Sequence, residues 1–172
     1  MPLTAEEIIR VLELVPLPIE GGFFRETYRS GLAIPGAALP PAYGGARDAS
    51  TAIYYLLTPD VVSTLHRLPG DEIFHFYLGD PVKMLQLRPD GTGETIVIGA
   101  DIGGGMRPQV VVRAGVWQGA MLAEGGRFAL MGTTMAPGFD YRDYERADPL
   151  ALTERYPACA SAIALLAESG GD

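Results

Sequence analysis

The chain has 172 residues, a length typical of one compact domain with a sizeable hydrophobic core. Its 13 basic and 21 acidic side chains give a net charge of −8, and Lys83 is its one lysine, which argues against nucleic-acid and anionic-membrane partners. A single cysteine excludes an internal disulfide, and 22 Gly with 14 Pro favour short strands and turns over long helices.

The first predicted element is a short amphipathic helix. Thr4 to Glu7 has the Ser/Thr-x-x-Glu pattern of a capping box, and apolar residues then recur at helical spacing up to Val15, where Pro16 stops the helix. The first charged residues are acidic and no basic targeting segment is visible, so we expect a cytoplasmic protein.

An extended segment at 24–29 is followed by an unusually long Gly-, Pro- and Ala-rich loop at 31–45. Loops of this kind often form lids or subunit contacts. We therefore expect this loop and the preceding strand to contribute to a homodimer.

Eight short strands separated by Gly, Pro and Asp turns follow in close succession, which indicates a sandwich or barrel. They are predicted at 51–57, 63–68, 72–78, 82–87, 94–98, 109–113, 116–122 and 128–134. Helical periodicity returns near the C-terminus, so we predict one domain over 1–172, with a barrel core at about 22–135 and a helical tail at 150–168 on its outside. The acidic run at 140–148 is interpreted as a solvated face.

Both histidines of the chain lie within the segment 63–75. A tight turn at 69–71 would place Glu72 at the start of a strand beside His66, whereas alternation puts His75 on the opposite face. His66 and Glu72 are therefore the predicted polar pair, and a carboxylate inside an apolar barrel needs a partner or a raised pKa.

This segment resembles the first cupin motif, His-x-His-x-x-x-Glu, with Leu68 in place of the second His. The segment 113–118 is similar to the second motif, Pro-x-Gly-x-x-His, with Gln118 in place of the His. The stretches 20–30, 51–57, 108–112 and 136–141 resemble the Cupin_5 family, formerly DUF985. The resemblance implies a mainly β, single-domain cupin barrel or jelly roll with short terminal helices and a pocket at its mouth.

The resemblance also implies a set of pocket residues. His66 and Glu72 are the candidate catalytic residues, and the candidate ligand-binding residues are Gln118, Phe74, Trp117, Tyr54 and Arg25. Three His and one Glu hold the metal in a typical cupin, so we expect no tightly bound metal and no other cofactor here. A weak divalent site would use His66, Glu72 and Gln118.

The stretch 20–26 is also similar to a segment of deoxysugar 3,5-epimerases, which are cupin enzymes that need no metal. That similarity suggests proton abstraction next to a carbonyl by His66 or Glu72, with Tyr28, Tyr54 or Tyr77 as the proton donor. Three functions remain open: a metal-independent isomerase or epimerase acting on a sugar or keto compound, a ligand-binding or sensor protein without catalysis, and a metal-dependent enzyme with a reduced ligand set.

Overall fold

The computed structural model describes residues 3–167. Its helices are α1 (Ala5–Leu12), α2 (Pro149–Arg155) and α3 (Ala160–Ala167), and short 3-10 turns lie at Gly36–Ala38, Pro41–Tyr43, Tyr141–Asp143 and Pro157–Cys159. The capping box is confirmed, because the Glu7 amide donates to the Thr4 hydroxyl while the Thr4 amide donates to the Glu7 carboxylate. Helix α1 ends before the prolines, with Glu13 in the left-handed conformation as its cap.

The predicted strands are present with small shifts at their ends. The strands are β1 (Val15–Pro16), β2 (Phe23–Arg29), β3 (Ala33–Ile34), β4 (Arg47–Asp48), β5 (Thr51–Leu57), β6 (Ser63–Arg67), β7 (Glu72–Gly79), β8 (Val82–Leu87), β9 (Gly93–Ile98), β10 (Gln109–Val112), β11 (Trp117–Leu122), β12 (Ala129–Met135) and β13 (Glu145–Arg146).

Two antiparallel sheets face each other in a jelly-roll arrangement. The larger sheet has the order β1-β2-β5-β12-β7-β10, and the smaller has the order β13-β6-β11-β8-β9. Inward-facing side chains from both sheets, including Tyr55, Phe74, Met84 and Met131, form the main core between them. The predicted fold class, mainly β with short terminal helices, is confirmed.

The C-terminal helices pack on the outer face of the smaller sheet, as the tail was expected to do. Leu152, Ile163 and Leu166 are buried there against Leu65 and Leu87. Residue 168, the predicted end of the tail, lies outside the described residues, and so do 1–2 and 169–172. The predicted domain extent, 1–172, therefore stays a prediction.

The long loop and the acidic run are tied to each other. Arg47, which follows the loop, is buried and forms an ion pair with the buried Asp143. The other acidic residues of the run also have partners: Asp140 pairs with Arg142, Glu145 pairs with Arg67, and Asp148 caps α2. The prediction of a solvated face is corrected for Asp143, whose side chain is 5% exposed, while Glu145 and Asp148 are exposed as expected. The expected homodimer stays a prediction.

No helix within residues 3–167 is both long enough and apolar enough to cross a membrane.

Candidate functional site

A cavity of about 70 Å³ lies against the larger sheet, where β2, β5, β7 and β12 meet the segment before β2 and the segment that follows β12. This volume accommodates a few water molecules or a ligand of a few carbon atoms. Apolar side chains form most of its wall, and Glu20, Glu26, Arg29 and Glu72 are its charged residues. An apolar enclosure with a few convergent polar groups is the usual form of a small-molecule site.

Glu20 reaches the cavity from a turn that requires glycine. Gly21 and Gly22 follow it with φ of 99° and 74°, and a Cβ on Gly21 would lie 2.2 Å from the carbonyl oxygen of Val62. The Glu20 carboxylate accepts a hydrogen bond of 2.6 Å from the Ser63 hydroxyl. Glu20 was not among the predicted site residues, although the Glu-Gly-Gly sequence is the signal that could have found it.

His66 lies beside Glu20 and not on the cavity wall itself. A bulge in β6 shifts its register against β11, so that Ser63 and His66 both face inward although they are three residues apart. The Nδ1–H of His66 donates to the Thr64 carbonyl at 2.8 Å, which leaves Nε2 as the acceptor in the neutral ring. Nε2 lies 3.9 Å from the Glu20 carboxylate, so His66 neighbours Glu20 without a hydrogen bond to it, and the Ser63 hydroxyl is the group that orients Glu20.

Tyr144 holds the other face of the His66 ring. The two rings stack with centroids 4.8 Å apart and planes 19° apart, and the Tyr144 hydroxyl donates to the Ile19 carbonyl at 3.1 Å. Burial raises the pKa of Tyr144 to about 12, so its hydroxyl stays protonated at neutral pH. Sequence patterns did not point to Tyr144, because it comes from a distant segment after the last long strand.

Glu72 is the buried carboxyl group of the site. The Gln118 amide donates to it at 2.6 Å across the gap between the two sheets. Burial raises the pKa of Glu72, and the Glu20 carboxylate raises it further, while His66 and hydrogen bonds from Gln118 and Thr133 lower it by less. The expectation that Glu72 would have a partner or a raised pKa is met in both respects, with Gln118 as its hydrogen-bond partner.

Arg29 lies at the mouth of the cavity because of a second bulge. The register of β2 against β5 shifts between Glu26 and Tyr28, so Glu26 and Arg29 both line the cavity while Tyr28 faces outward and is 55% exposed. This differs from the prediction that Arg25 binds ligand. Arg25 instead forms an exposed ion pair with Glu13 at the end of α1.

Two other predicted wall residues lie on the outer faces of the sheets. Trp117 packs against the C-terminal helices. The Arg67 guanidinium lies over the Trp117 ring, with its central carbon 4.5 Å from the ring centroid. Tyr54 packs toward α1 and meets Tyr77 edge-on with centroids 6.1 Å apart. Strand alternation explains both, because the inward positions are those of their neighbours, Gln118 and Tyr55.

The remaining predictions agree with strand alternation. Phe74 faces the core on the same side of β7 as Glu72 and is 1% exposed. His75 faces the other way, where its ring contacts Gln109 and Thr134 at 3.3 Å. The predicted residues that the structure brings together at the site are therefore His66, Glu72 and Gln118, with Phe74 in the adjoining core.

The donors at the site do not fit a metal ion. Position 68 is a leucine that lines the cavity, and position 118 is an amide already engaged with Glu72. Among residues 3–167, no group of three or more His, Cys, Asp and Glu is arranged to hold an ion. Transition metals need several imidazole, carboxylate or thiolate ligands, which this arrangement does not supply.

The raised pKa of Glu72 predicts a pH-dependent effect of Glu72→Gln on stability. Below the ordinary carboxyl pKa, Glu72 is protonated whether folded or unfolded; as the pH rises through the raised pKa, the folded state must bury a charge and loses stability. Glutamine removes this loss. We expect the melting temperature of the variant, relative to wild type, to be higher at pH 8 than at pH 5, by about 2–4 °C for each kcal/mol of ionisation cost.

The control for this experiment is Glu124→Gln, which alters an exposed carboxylate in a turn away from the cavity. Its melting temperature relative to wild type should be the same at both pH values. If the melting temperature of Glu72→Gln relative to wild type is the same at pH 5 and pH 8, the assignment of Glu72 as a buried carboxyl group with a raised pKa is contradicted.

The two facing sheets, with His66 on β6, Glu72 on β7 and Gln118 on β11, define a cupin. Residues 6–147 match the family model Cupin_5, described as Cupin superfamily (DUF985). The chain belongs to this family, as the sequence motifs predicted.

Relatives of known sequence or structure agree with this family. An uncharacterized protein of Saccharomyces cerevisiae, YML079W, is 30% identical over 83% of this chain and 75% of its own length. Solved structures of a hypothetical protein from Leishmania major and of protein SO0799 from Shewanella oneidensis have TM-scores of 0.86 and 0.85. Both are 32% identical to this chain. The match to the Leishmania major protein covers 97% of this chain and 100% of the other. The match to SO0799 covers 98% of this chain and 99% of the other.

A more distant likeness shows the fold alone. A variant of Bacillus subtilis oxalate decarboxylase has a TM-score of 0.53 and 13% identity over 90% of this chain and 38% of its own.

Proposed function

We propose that this protein binds a small carbonyl compound in the cavity and isomerises it by metal-independent proton transfer between two carboxyl groups. The observation that supports this most is Glu72, a buried carboxyl group with a raised pKa that shares one cavity with a second carboxylate, Glu20. Two neighbouring carboxyl groups, one of which has its pKa raised by burial, are typical of an acid and base pair.

The roles follow from the surroundings of each group. Glu20 accepts the proton from the carbon beside the carbonyl, and Glu72 donates its proton to the carbonyl oxygen, which gives a neutral enediol. Glu72 then recovers a proton from the other enediol oxygen as Glu20 returns its own to the neighbouring carbon, so that atoms and charge balance. Ser63 orients Glu20 through its hydroxyl, and Gln118 orients Glu72 through its amide, while His66 lies beside Glu20.

This proposal changes the proton donor expected from sequence. Tyr54 packs on the outer face of the larger sheet with Tyr77, and Tyr28 faces solvent. Next to Tyr54 on β5, Tyr55 faces the core, and its hydroxyl donates to the Gly21 carbonyl at 2.9 Å. Burial raises its pKa well above the usual value, which makes it a weaker acid than Glu72.

The test is exchange of carbon-bound hydrogen for deuterium in heavy water, followed by NMR on a panel of small aldoses, ketoses and hydroxyketones. Wild type should catalyse exchange at the carbon beside the carbonyl for at least one member, and Glu72→Gln and Glu20→Gln should each slow it by about 100-fold or more. Glu124→Gln should retain the wild-type rate.

Two outcomes would overturn the proposal. Binding without exchange in the wild-type protein would favour a ligand-binding or sensor role on the same scaffold. Exchange that survives in both carboxylate variants would place the chemistry on other residues.

A further inference from the structure

The charge balance of the cavity bears on the chemical class of ligand that it would accept. The described residues that line it carry three carboxyl groups, Glu20, Glu26 and Glu72, and one cationic side chain, Arg29. Recognition of a phosphate or carboxylate requires N–H groups that are free to donate to it.

Arg29 has no such group to offer. Its Nε and Nη2 donate to Glu26 at 2.9 and 2.7 Å, and its Nη1 donates to Asp48 at 2.8 Å. Longer contacts of 3.4 Å from Nη1 and Nη2 reach the Phe139 carbonyl. A guanidinium has five N–H groups, so these five contacts occupy it.

Acceptors, in contrast, are in surplus. Gln118 is 2% exposed and donates its amide to Glu72, and its Oε1 is the buried side-chain atom that lacks a hydrogen-bond partner among the described residues. Gln118 does not itself line the cavity, and its amide positions the Glu72 carboxyl group that does. Glu20, Glu26 and Glu72 supply the carboxyl oxygens that line the cavity.

The wall between these acceptors is apolar and partly aromatic. Phe24, Phe139 and Tyr141 line it, and the last two rings meet edge-on with centroids 5.1 Å apart. Such a surface suits the C–H face of a small carbon skeleton. The carboxyl groups that line the cavity also come from separate elements, before β2, on β2 and on β7, so they suit several separate donors better than one point charge.

We infer that the cavity takes an uncharged, hydroxyl-bearing ligand such as a small sugar or hydroxyketone, and that it discriminates against organic acids and phosphate esters. This inference rests on the proposed function only in taking the cavity as the ligand site. The substrate expected from the sequence is a sugar or keto compound. The inference narrows this class to neutral sugars and hydroxyketones and excludes keto acids.

Three probes with one carbon skeleton test this inference: glycerol, D-glycerate and 3-amino-1,2-propanediol. They differ at one terminal group and lack a carbonyl, so proton transfer does not enter the measurement. NMR titration of the Gln118 side-chain amide signal gives the affinities, and crystals soaked at equal concentrations locate each probe.

We expect glycerol to bind in the cavity at least about tenfold more tightly than glycerate at pH 7. Glu20→Gln should narrow this ratio by weakening the repulsion of the anion, and Gln118→Leu should weaken glycerol without restoring glycerate. Glu124→Gln should leave all three affinities unchanged.

The inference is overturned if glycerate binds as well as glycerol, if the amine binds most tightly, or if none of the three enters the cavity. The proposed isomerisation is judged separately, by the deuterium exchange. Neutral ligands that bind without exchanging would contradict that reaction and leave the ligand class standing.

Discussion

Asp143→Ala should lower the free energy of unfolding by about 3–5 kcal/mol, because it leaves the Arg47 guanidinium buried without its counter-ion. The two side chains are 2% and 5% exposed, and Arg47 also donates to the Tyr43 and Ala46 carbonyls, so it cannot turn toward solvent without breaking them. Urea denaturation at pH 7 measures the loss. At about 2–4 °C per kcal/mol, the melting temperature should fall by roughly 6–20 °C.

Glu145→Ala is the matched control from the same segment. It breaks an exposed ion pair in which the Arg67 side chain is 38% exposed and the Glu145 side chain is 53% exposed. Exposed pairs of this kind contribute about 0–1 kcal/mol to the free energy of unfolding. Replacing both members of the buried pair, Arg47→Met with Asp143→Leu, should recover much of the stability lost in Asp143→Ala. Equal losses for Asp143→Ala and Glu145→Ala would show that the pair does not fasten the loop to the segment after β12.

Gly21→Ala should cost about 3 kcal/mol and should displace Glu20 from the cavity. The residue has a φ of 99°, and its new Cβ would lie 2.2 Å from the Val62 carbonyl oxygen, so strain and collision act together. Because Val62 precedes Ser63, relief of the collision separates the Ser63 hydroxyl from the Glu20 carboxylate. Denaturation measures the stability loss, and deuterium exchange measures the effect on the site.

Gly91→Ala separates these two causes. Gly91 has a similar φ of 91°, but nothing lies within 4 Å of the Cβ position. It should therefore lose only the conformational part, about 1 kcal/mol, and leave exchange unchanged. If Gly91→Ala is as destabilising as Gly21→Ala, the approach of Val62 is not what makes glycine necessary at position 21.

Most of the fold was predictable because strand patterns and turn chemistry are local. Strand β5 was predicted at its observed ends, 51–57, from an apolar and aromatic run before Thr58-Pro59-Asp60. Alternation within β7 also placed His75 opposite Glu72. The site was predictable only where a motif carried it, which applied to His66, Glu72 and Gln118.

The bulge in β2 explains one difference between the sequence-based expectation and the structure. An uninterrupted alternation from Phe24 would turn Tyr28 inward, but the shift in β2 turns Arg29 inward instead. No residue type in that stretch predicts the shift in register, because the bulge depends on how β2 pairs with the neighbouring strand β5. For Trp117 and Tyr54, the sequence shows alternation but not which of the two faces meets the other sheet.

By itself, the sequence determined the family, the jelly-roll class, the strand positions, and the presence of a carboxyl group where a cupin core would hold it. The tertiary structure decided that Glu20 joins Glu72 across 52 positions of chain and that Arg29 is occupied by Glu26 and Asp48. It also decided that Gln118 Oε1 has no hydrogen-bond partner within residues 3–167. Local patterns are set by neighbours within a few residues. The charge and hydrogen-bonding character of a cavity depends on which distant side chains the packing of the two sheets brings together.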